Sequence, residues 1–490
     1  MKPLHVFLVS LGEYLKTAPS TPPPVGILSL AAWAREKLRG LRITLLDQRL
    51  ERINHQEVAR RIIQARPDVV GISYMTSADT FVPGITKAVR DALPSCTILL
   101  GGSHPAAVQA AAIEGTHADA LVSGEGEIAF EMILRAIQDG DTFEHVPGLY
   151  RRLPDGSVVR NPGELPIVEN LDELPFLAYD LLDVPRYWTV YSQSPIPPPQ
   201  KQVVLSSSRG CPFPCIFCHK IFGKTFRGQT PERLVDEMEY LKKKYGAERF
   251  DFIDDAFIQD KERVYRFSEE VNRRNLRVKL TMPNGLRTDT LTQEVVDAMV
   301  AAGLRSCACA LDAGSPRIQK LVRKGLNIQR FLDGVEMMAR HRVFTYGFMM
   351  FGFPTETAEE MQMTIDISRK SLLHMAFFFK ATPYPNSGLY DLAMQLCPER
   401  MRNLDFTNHD VYYNPVVNLS AVSDEELLYY LRKATRTFFG SPTRLYRFTR
   451  DCPHPFRFLQ FFPGAIAQSF SRKRGRFRHP VHYPEGPAGL

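Results

Sequence analysis

Three cysteines fall within eight positions in the stretch Ser208-Arg209-Gly210-Cys211-Pro212-Phe213-Pro214-Cys215-Ile216-Phe217-Cys218. Thiolates spaced by three and then two residues can curl around one soft metal centre. A closed zinc or iron–sulfur site takes four ligands, and no fourth cysteine lies at a suitable spacing. Three readings stay open on the residues alone: a zinc site completed by His219, three unrelated buried thiols, or an iron–sulfur cubane with one iron left open. The proline-rich loop is a poor core segment, and the cubane is the favoured reading. The other cysteines are bland. Cys307 and Cys309 alternate along a strand and share a face, which suits small buried residues, and Cys96, Cys397 and Cys452 are isolated.

Something must position that loop. The chain has 490 residues, enough for two or three domains. Apolar residues make up 44% and charged residues 23%, ordinary globular composition. A formal charge of +7 is too small to demand a polyanion. No apolar run is long enough for a membrane span, and the start reads as a buried strand, not a signal peptide. Eight cysteines are too sparse for a disulfide scaffold, so a reducing cytoplasm is expected.

Residues 1–145 alternate strand candidates (5–9, 43–47, 69–73, 97–100, 120–122) with helix candidates (26–38, 56–65, 82–93, a weaker 106–114, 127–137). Val82, Ile85, Val89 and Leu93 recur at three and four, one apolar helix face. The pattern predicts a doubly wound α/β domain that binds ligands beyond the carboxyl ends of its strands. Residues 146–202 lose this periodicity, cluster prolines and read as a linker. Six further β/α units fill 203–382, with strands at 203–207, 250–253, 278–282, 306–311, 345–350 and 376–379. They predict a partial (β/α)6 barrel with its chemistry at the strands' carboxyl ends. Thr230 with Pro231, and Gly246 after them, mark the ends of its first helix. Residues 383–490 read as a mainly helical, basic C-terminal region, in which Ser423 and Glu426 resemble a capping box.

The motif C-x-x-x-C-x-aromatic-C after a barrel strand resembles the signature of the radical S-adenosylmethionine (SAM) enzymes. The resemblance implies that Cys211, Cys215 and Cys218 ligate a [4Fe–4S] cluster whose fourth iron chelates SAM. Reduction would then release a 5′-deoxyadenosyl radical, the hard chemistry residing in the cofactors. Phe217 would lie near the adenine. Later strand ends match the family in order. Asp254 and Asp255 stand where the family receives the methionine ammonium, and Asn284 and Arg287 where ribose or carboxylate is met. Asp312 and Ser315 stand in a segment similar to the family's Glu-Ser-Gly, with Asp for Glu and Ala for Ser. Gly352 lies in the strand on the adenine side.

Residues 1–140 resemble the Rossmann-like domain that precedes the barrel in cobalamin-binding members of the family. Ser73, Gly101, Gly102, His104, Gly124 and Glu125 are the matching positions expected to contact cobalamin. The Asp-x-His-x-x-Gly motif that supplies a lower axial histidine is absent, and His104 is read as structural. Only Cys96 lies in this region, which disfavours methylthiotransferases. The two cofactors together imply methylation of an unactivated carbon of a small-molecule or lipid-like substrate through methylcobalamin. Oxidative ring closure or ring contraction is the alternative reading, and a non-catalytic cobalamin sensor the alternative from another class. A reducing partner such as flavodoxin or ferredoxin is expected. Residues 444–478 carry nine Lys or Arg against Asp451 alone, interleaved with phenylalanines. Peripheral membrane contact, nucleic-acid binding (disfavoured) and a plain helical cover over the barrel are the competing readings.

Overall fold

The computed structural model describes residues 3–14, 19–219, 221–402, 404, 406 and 417–459. Its first sheet holds β1 (Leu4–Leu11), β2 (Leu41–Asp47), β3 (Val69–Tyr74), β4 (Thr97–Gly101), β5 (Ala120–Leu121), β6 (Tyr150–Arg152) and β7 (Val158–Arg160), ordered 2-1-3-4-5-6-7. β1 to β5 are parallel, while β6 and β7 join antiparallel. Strand order reverses between β1 and β3, the switch point at which doubly wound sheets bind ligands. Helices α1 (Val25–Lys37) and α4 (Glu127–Asp139) pack on one face, and α2 (His55–Ala65) and α3 (Val82–Ala92) on the other. The apolar face of α3 is formed by Val82, Ile85 and Val89, as their spacing requires.

Two expectations need correction. The weaker helix at 106–114 is two short helices, Ser103–Val108 and Ala110–Glu114, broken at Gln109 with φ 55°. The stretch 146–202 is not wholly a linker, because β6 and β7 extend the first sheet. Three-residue strands are too short to show a period, which hid them. The rest wraps between the domains: Tyr179 is buried, its hydroxyl donating to Val204 O at 2.7 Å.

The barrel sheet comprises β8 (Gln202–Leu205), β11 (Arg249–Phe252), β12 (Lys279–Leu286), β13 (Leu304–Asp312), β14 (Phe344–Phe351) and β15 (Met375–Lys380), all parallel in that order. A two-residue ribbon, β9 (Ser208–Arg209) against β10 (Arg227–Gly228), stands above β8. Around the outside run α5 (Pro231–Tyr245), α6 (Lys261–Arg273), α7 (Gln293–Ala301), α8 (Ile328–Arg340) and α9 (Ala358–Lys370). Thr230 caps α5 by accepting from Arg233 N, and Gly246 ends it at φ 75°. Cys307 and Cys309 share a face, both fully buried in the main core.

The C-terminal chain adds α10 (Asp424–Phe439), opened by the Ser423–Glu426 capping box, and α11 (Pro442–Asp451). Up to Phe458 the basic segment is a plug. Phe448 and Phe458 pack on Phe344 at the start of β14, with centroids 5.6 and 6.1 Å away. Arg444 is 3% exposed. Its guanidinium lies 3.6 Å from the Phe438 ring centre and donates to the carbonyls of Ser368 and Arg369 in the last turn of α9 and of Ser371 and Leu373 just beyond it. Burial pulls its pKa down to about 10, still cationic at neutral pH. Asp451 meets His374 Nε2 at 3.0 Å, and His374 Nδ1 accepts from Thr345 N–H. The remaining basic residues, 472–478, lie outside the described residues. Among the described residues no helix is long and apolar enough to cross a membrane.

Arg444 therefore acts as an internal cap. Arg444→Met should lower unfolding free energy by about 2–3 kcal/mol, because it strands several buried carbonyls at once. Exposed Tyr446→Ser should stay within about 0.5 kcal/mol of wild type in the same denaturant titration.

Candidate active site

The cysteine loop leaves β8 through a buried polar knot. Asp254, after β11, accepts from Ser207 N at 3.1 Å, Ser207 Oγ at 2.7 Å and Ser208 Oγ at 2.5 Å. Arg263 of α6 donates to Ser207 Oγ at 2.7 Å. Burial raises the Asp254 carboxyl, against Arg263 and the two serines, which favour its ionised form. Gly210 then turns at φ 85°, and a Cβ there would sit 2.0 Å from Thr225 O. Further along, Cys211 N–H donates to Gly223 O, Lys224 to Phe213 O and Ile216 N–H to Val322 O, while Ile216 O accepts from Leu389. Phe217 packs against buried Phe353, centroids 6.0 Å apart.

The backbone is thus pinned while the sulfurs stay accessible: Cys211 and Cys215 are half-buried, and Cys218 is exposed. A hydrogen bond from Cys218 brings the Cys215 thiol down to about 7, with Lys324 and Arg287 adding positive charge nearby. The same bond pushes the Cys218 thiol up, and burial raises that of Cys211. Among the described residues no three His, Cys, Asp or Glu side chains converge on a single metal ion. His219 turns to Asp255 instead, with Nε2 3.3 Å from Oδ1.

The other strand ends divide into two groups. Asp255, His219 and Asn284 assemble at the rim, Asn284 Nδ2 lying 3.4 Å from Asp255 Oδ1. Arg287 lies over the Phe213 ring at 4.0 Å and bonds Asp289, yet its Nη1 is buried without a partner. An orphaned guanidinium N–H beside the thiols, with Lys324 near, fits an anionic cluster and a carboxylate-bearing ligand. Four predicted contacts are engaged within the protein. Asp254 is spent on the serine knot. Asp312, at φ 60°, pairs with Lys324, which also donates to Ala310 O at 2.7 Å. Ser315 caps the helix Pro316–Leu321 and donates to Glu360 at 2.7 Å. Gly352, at φ 88°, donates to buried Glu356 at 2.7 Å. Lys324 was not anticipated, for no motif marks it, and Glu356 closes the stretch 347–356 that resembles the family's adenine-side strand, with no role of its own expected there.

In the first domain, Ser73, Gly101 and Gly102 end β3 and β4. A Cβ on Gly26 or Gly101 would meet nothing within 4 Å, so open space borders these carboxyl ends, as a flat ligand requires. Gly102, at φ 96°, packs against Tyr74 backbone where a Cβ would clash at 2.8 Å. His104 is 7% exposed, and its ring nitrogens lie 3.1 Å from Thr76 Oγ1 and 3.1 Å from Asp79 Oδ1. Both nitrogens are engaged within the domain, in keeping with a structural role. Gly124 turns at φ 149° after β5. Glu125 does not face that opening: its carboxylate is buried in ion pairs with Arg209 and Arg227.

Comparison with known proteins agrees with this geometry. The Radical SAM superfamily description matches residues 205–367, and that of the B12 binding domain residues 14–134. The chain is 30% identical over 448 residues to an uncharacterized methyltransferase of Pyrococcus horikoshii, spanning 90% of this chain and 93% of that one. It is 26% identical over 459 residues to the anaerobic magnesium-protoporphyrin IX monomethyl ester cyclase of Rubrivivax gelatinosus, spanning 92% and 80%. The solved radical SAM methyltransferase TsrM of Kitasatospora setae shares the fold with a TM-score of 0.66, at 19% identity over 89% of this chain and 83% of its own. The protein is a radical SAM enzyme. More narrowly, it belongs to the members that carry a B12-binding domain, and its cofactors are a [4Fe–4S] cluster, SAM and cobalamin.

Two outcomes test the site. Gly210→Ala, which forces a side chain onto Thr225 O in left-handed backbone, should abolish iron and sulfide uptake on anaerobic reconstitution while the first domain stays folded. Burial raises the Glu356 carboxyl from 4.5 to about 8. A group raised in the folded state stabilises below its unfolded value and loses that contribution as pH rises through the folded one. Wild-type stability should therefore fall relative to Glu356→Gln between about pH 4.5 and pH 8, by a few kcal/mol at most, in denaturant titrations across that range.

Proposed function

We propose that this enzyme methylates an unactivated carbon of a small-molecule or lipid-like substrate. The observation that carries the reading is full-length similarity to a protein named a methyltransferase, joined to a thiol loop and an open glycine-lined sheet end in one chain. When bound, the cluster and SAM supply a 5′-deoxyadenosyl radical, and cobalamin carries the methyl group.

The chain's own residues hold and shield. We assign the cluster to Cys211, Cys215 and Cys218, with the unspent N–H of Arg287 directed to an anionic group of SAM. Asp255 and Asn284 present oxygen acceptors at the rim for an ammonium. Phe217, braced by Phe353, offers an apolar surface to adenine. Ser73, Gly101, Gly102 and Gly124 line the opening assigned to cobalamin, and with His104 engaged by Thr76 and Asp79, no cobalt ligand comes from that motif.

The barrel interior indicates the kind of substrate. Phe351 and Phe378 point outward, Phe378 packing on Phe438 of α10. The alternate residues Phe348, Phe377 and Phe379 therefore face inward. Their rings lie 5.5–6.2 Å apart and are only half-buried. Such a wall suits a ring or a hydrocarbon chain and excludes water from a radical. The enzyme takes its electron from a flavodoxin- or ferredoxin-like donor in the cytoplasm.

Oxidative ring closure is the second reading, favoured by similarity to the cyclase along 92% of the chain. One pair of measurements separates the two. Reconstituted enzyme with dithionite and SAM should release 5′-deoxyadenosine, and none should form with Cys215→Ser. Metabolites of the native host, with and without the protein, should differ by one CH2 for methylation, and by hydrogen count alone for ring closure.

A further inference from the structure

The ribbon β9–β10 forms the neck of the cysteine loop, with Arg209 and Arg227 directly opposite one another. Neither arginine turns into the barrel. Both enter the first domain and meet the turn between β5 and α4. Arg209 Nη1 lies 2.6 Å from Glu125 Oε2, and its Nη2 lies 2.6 Å from Glu127 Oε1. Arg227 takes the other oxygen of Glu125 and also donates to Val168 O at 2.6 Å. Ser29 of α1 donates to Glu127 at 2.5 Å, tying in a third element. All four charged side chains are 11% exposed or less.

Four buried charges are a poor way to gain stability. Desolvation offsets most of their attraction, and apolar replacements of similar volume often do as well. What forked Arg–carboxylate pairs supply is orientation, because the planar guanidinium accepts few approach geometries. The location is telling. Glu125 directly follows Gly124, which stands past the carboxyl end of β5 on the opening assigned to cobalamin, though its own carboxylate turns away. Arg209 stands two residues before Cys211. Three ion pairs among these side chains thus join the two cofactor sites, whereas the covalent route between them runs through the long stretch 146–202.

We propose that Glu125, Glu127, Arg209 and Arg227 form a positioning clamp that fixes the cluster relative to the corrin. The inference rests on family membership and does not require that the reaction be methylation.

The test uses full-length protein reconstituted anaerobically with iron, sulfide and cobalamin, and reads power saturation of the cob(II)alamin EPR signal. A reduced cluster held nearby speeds relaxation of that signal in wild type. Glu125→Gln and Arg209→Lys should retain iron and cobalt but lose severalfold of the enhancement, since the pair no longer sets the separation. Lys87→Gln, which breaks an exposed pair with Asp91 in the same domain, should change nothing. Unaltered saturation in the fully loaded variants would overturn the proposal. So would a fall in melting temperature and loading with normal saturation in the loaded fraction, because the pairs would then serve stability alone.

Discussion

The cysteine loop must be rigid in its backbone and open at its sulfurs. A loop free to collapse would bury its thiols or oxidise them, and one fully packed would leave no room for iron. The structure meets both demands by anchoring the peptide through Gly210, Cys211 and Ile216, with their partners drawn from Thr225, Gly223, Val322 and Leu389. Much of the barrel is arranged around that anchoring. The serine knot under Asp254 sets where the loop departs, Phe353 braces Phe217 from just past β14, and the chain at Leu389 returns to close the far side.

Electrostatics follow the same division. Cations gather where negative charge is to be held, Lys324 and Arg287 beside Cys215. Elsewhere several buried acids have a cation close by: Asp254 with Arg263, Asp312 with Lys324, Glu360 with Arg317. Glu356 has no hydrogen-bonded cation among the described residues. It is fully buried, with only two backbone N–H donors on one oxygen and none on the other, which explains its preference for the protonated form.

The thiol spacing, the five β/α units before it and the six strands around it were all legible in the sequence, because period and ligand spacing are local signals. So were the Thr230 and Ser423 caps. What sequence could not show is the direction in which a side chain turns. Glu125 sits in a glycine-rich turn that looks built for a ligand, yet its partners lie 84 and 102 residues away. Asp254 and Ser315 occupy family positions but are claimed by neighbours that only the fold brings near. The basic tail misled in the opposite sense: Arg444 reads as a surface charge until four carbonyls from the end of α9 are found around it.

The plug formed by Phe448 and Phe458 has a consequence for traffic. It occupies the amino end of β14, and Arg457 nearby reaches Pro199 O. Among the described residues, the approach to the inward rings Phe348, Phe377 and Phe379 that this packing leaves is from the carboxyl ends of the strands, where the cysteine loop stands. Reactant and cofactor would thus share one end of the sheet, the end at which the thiols lie.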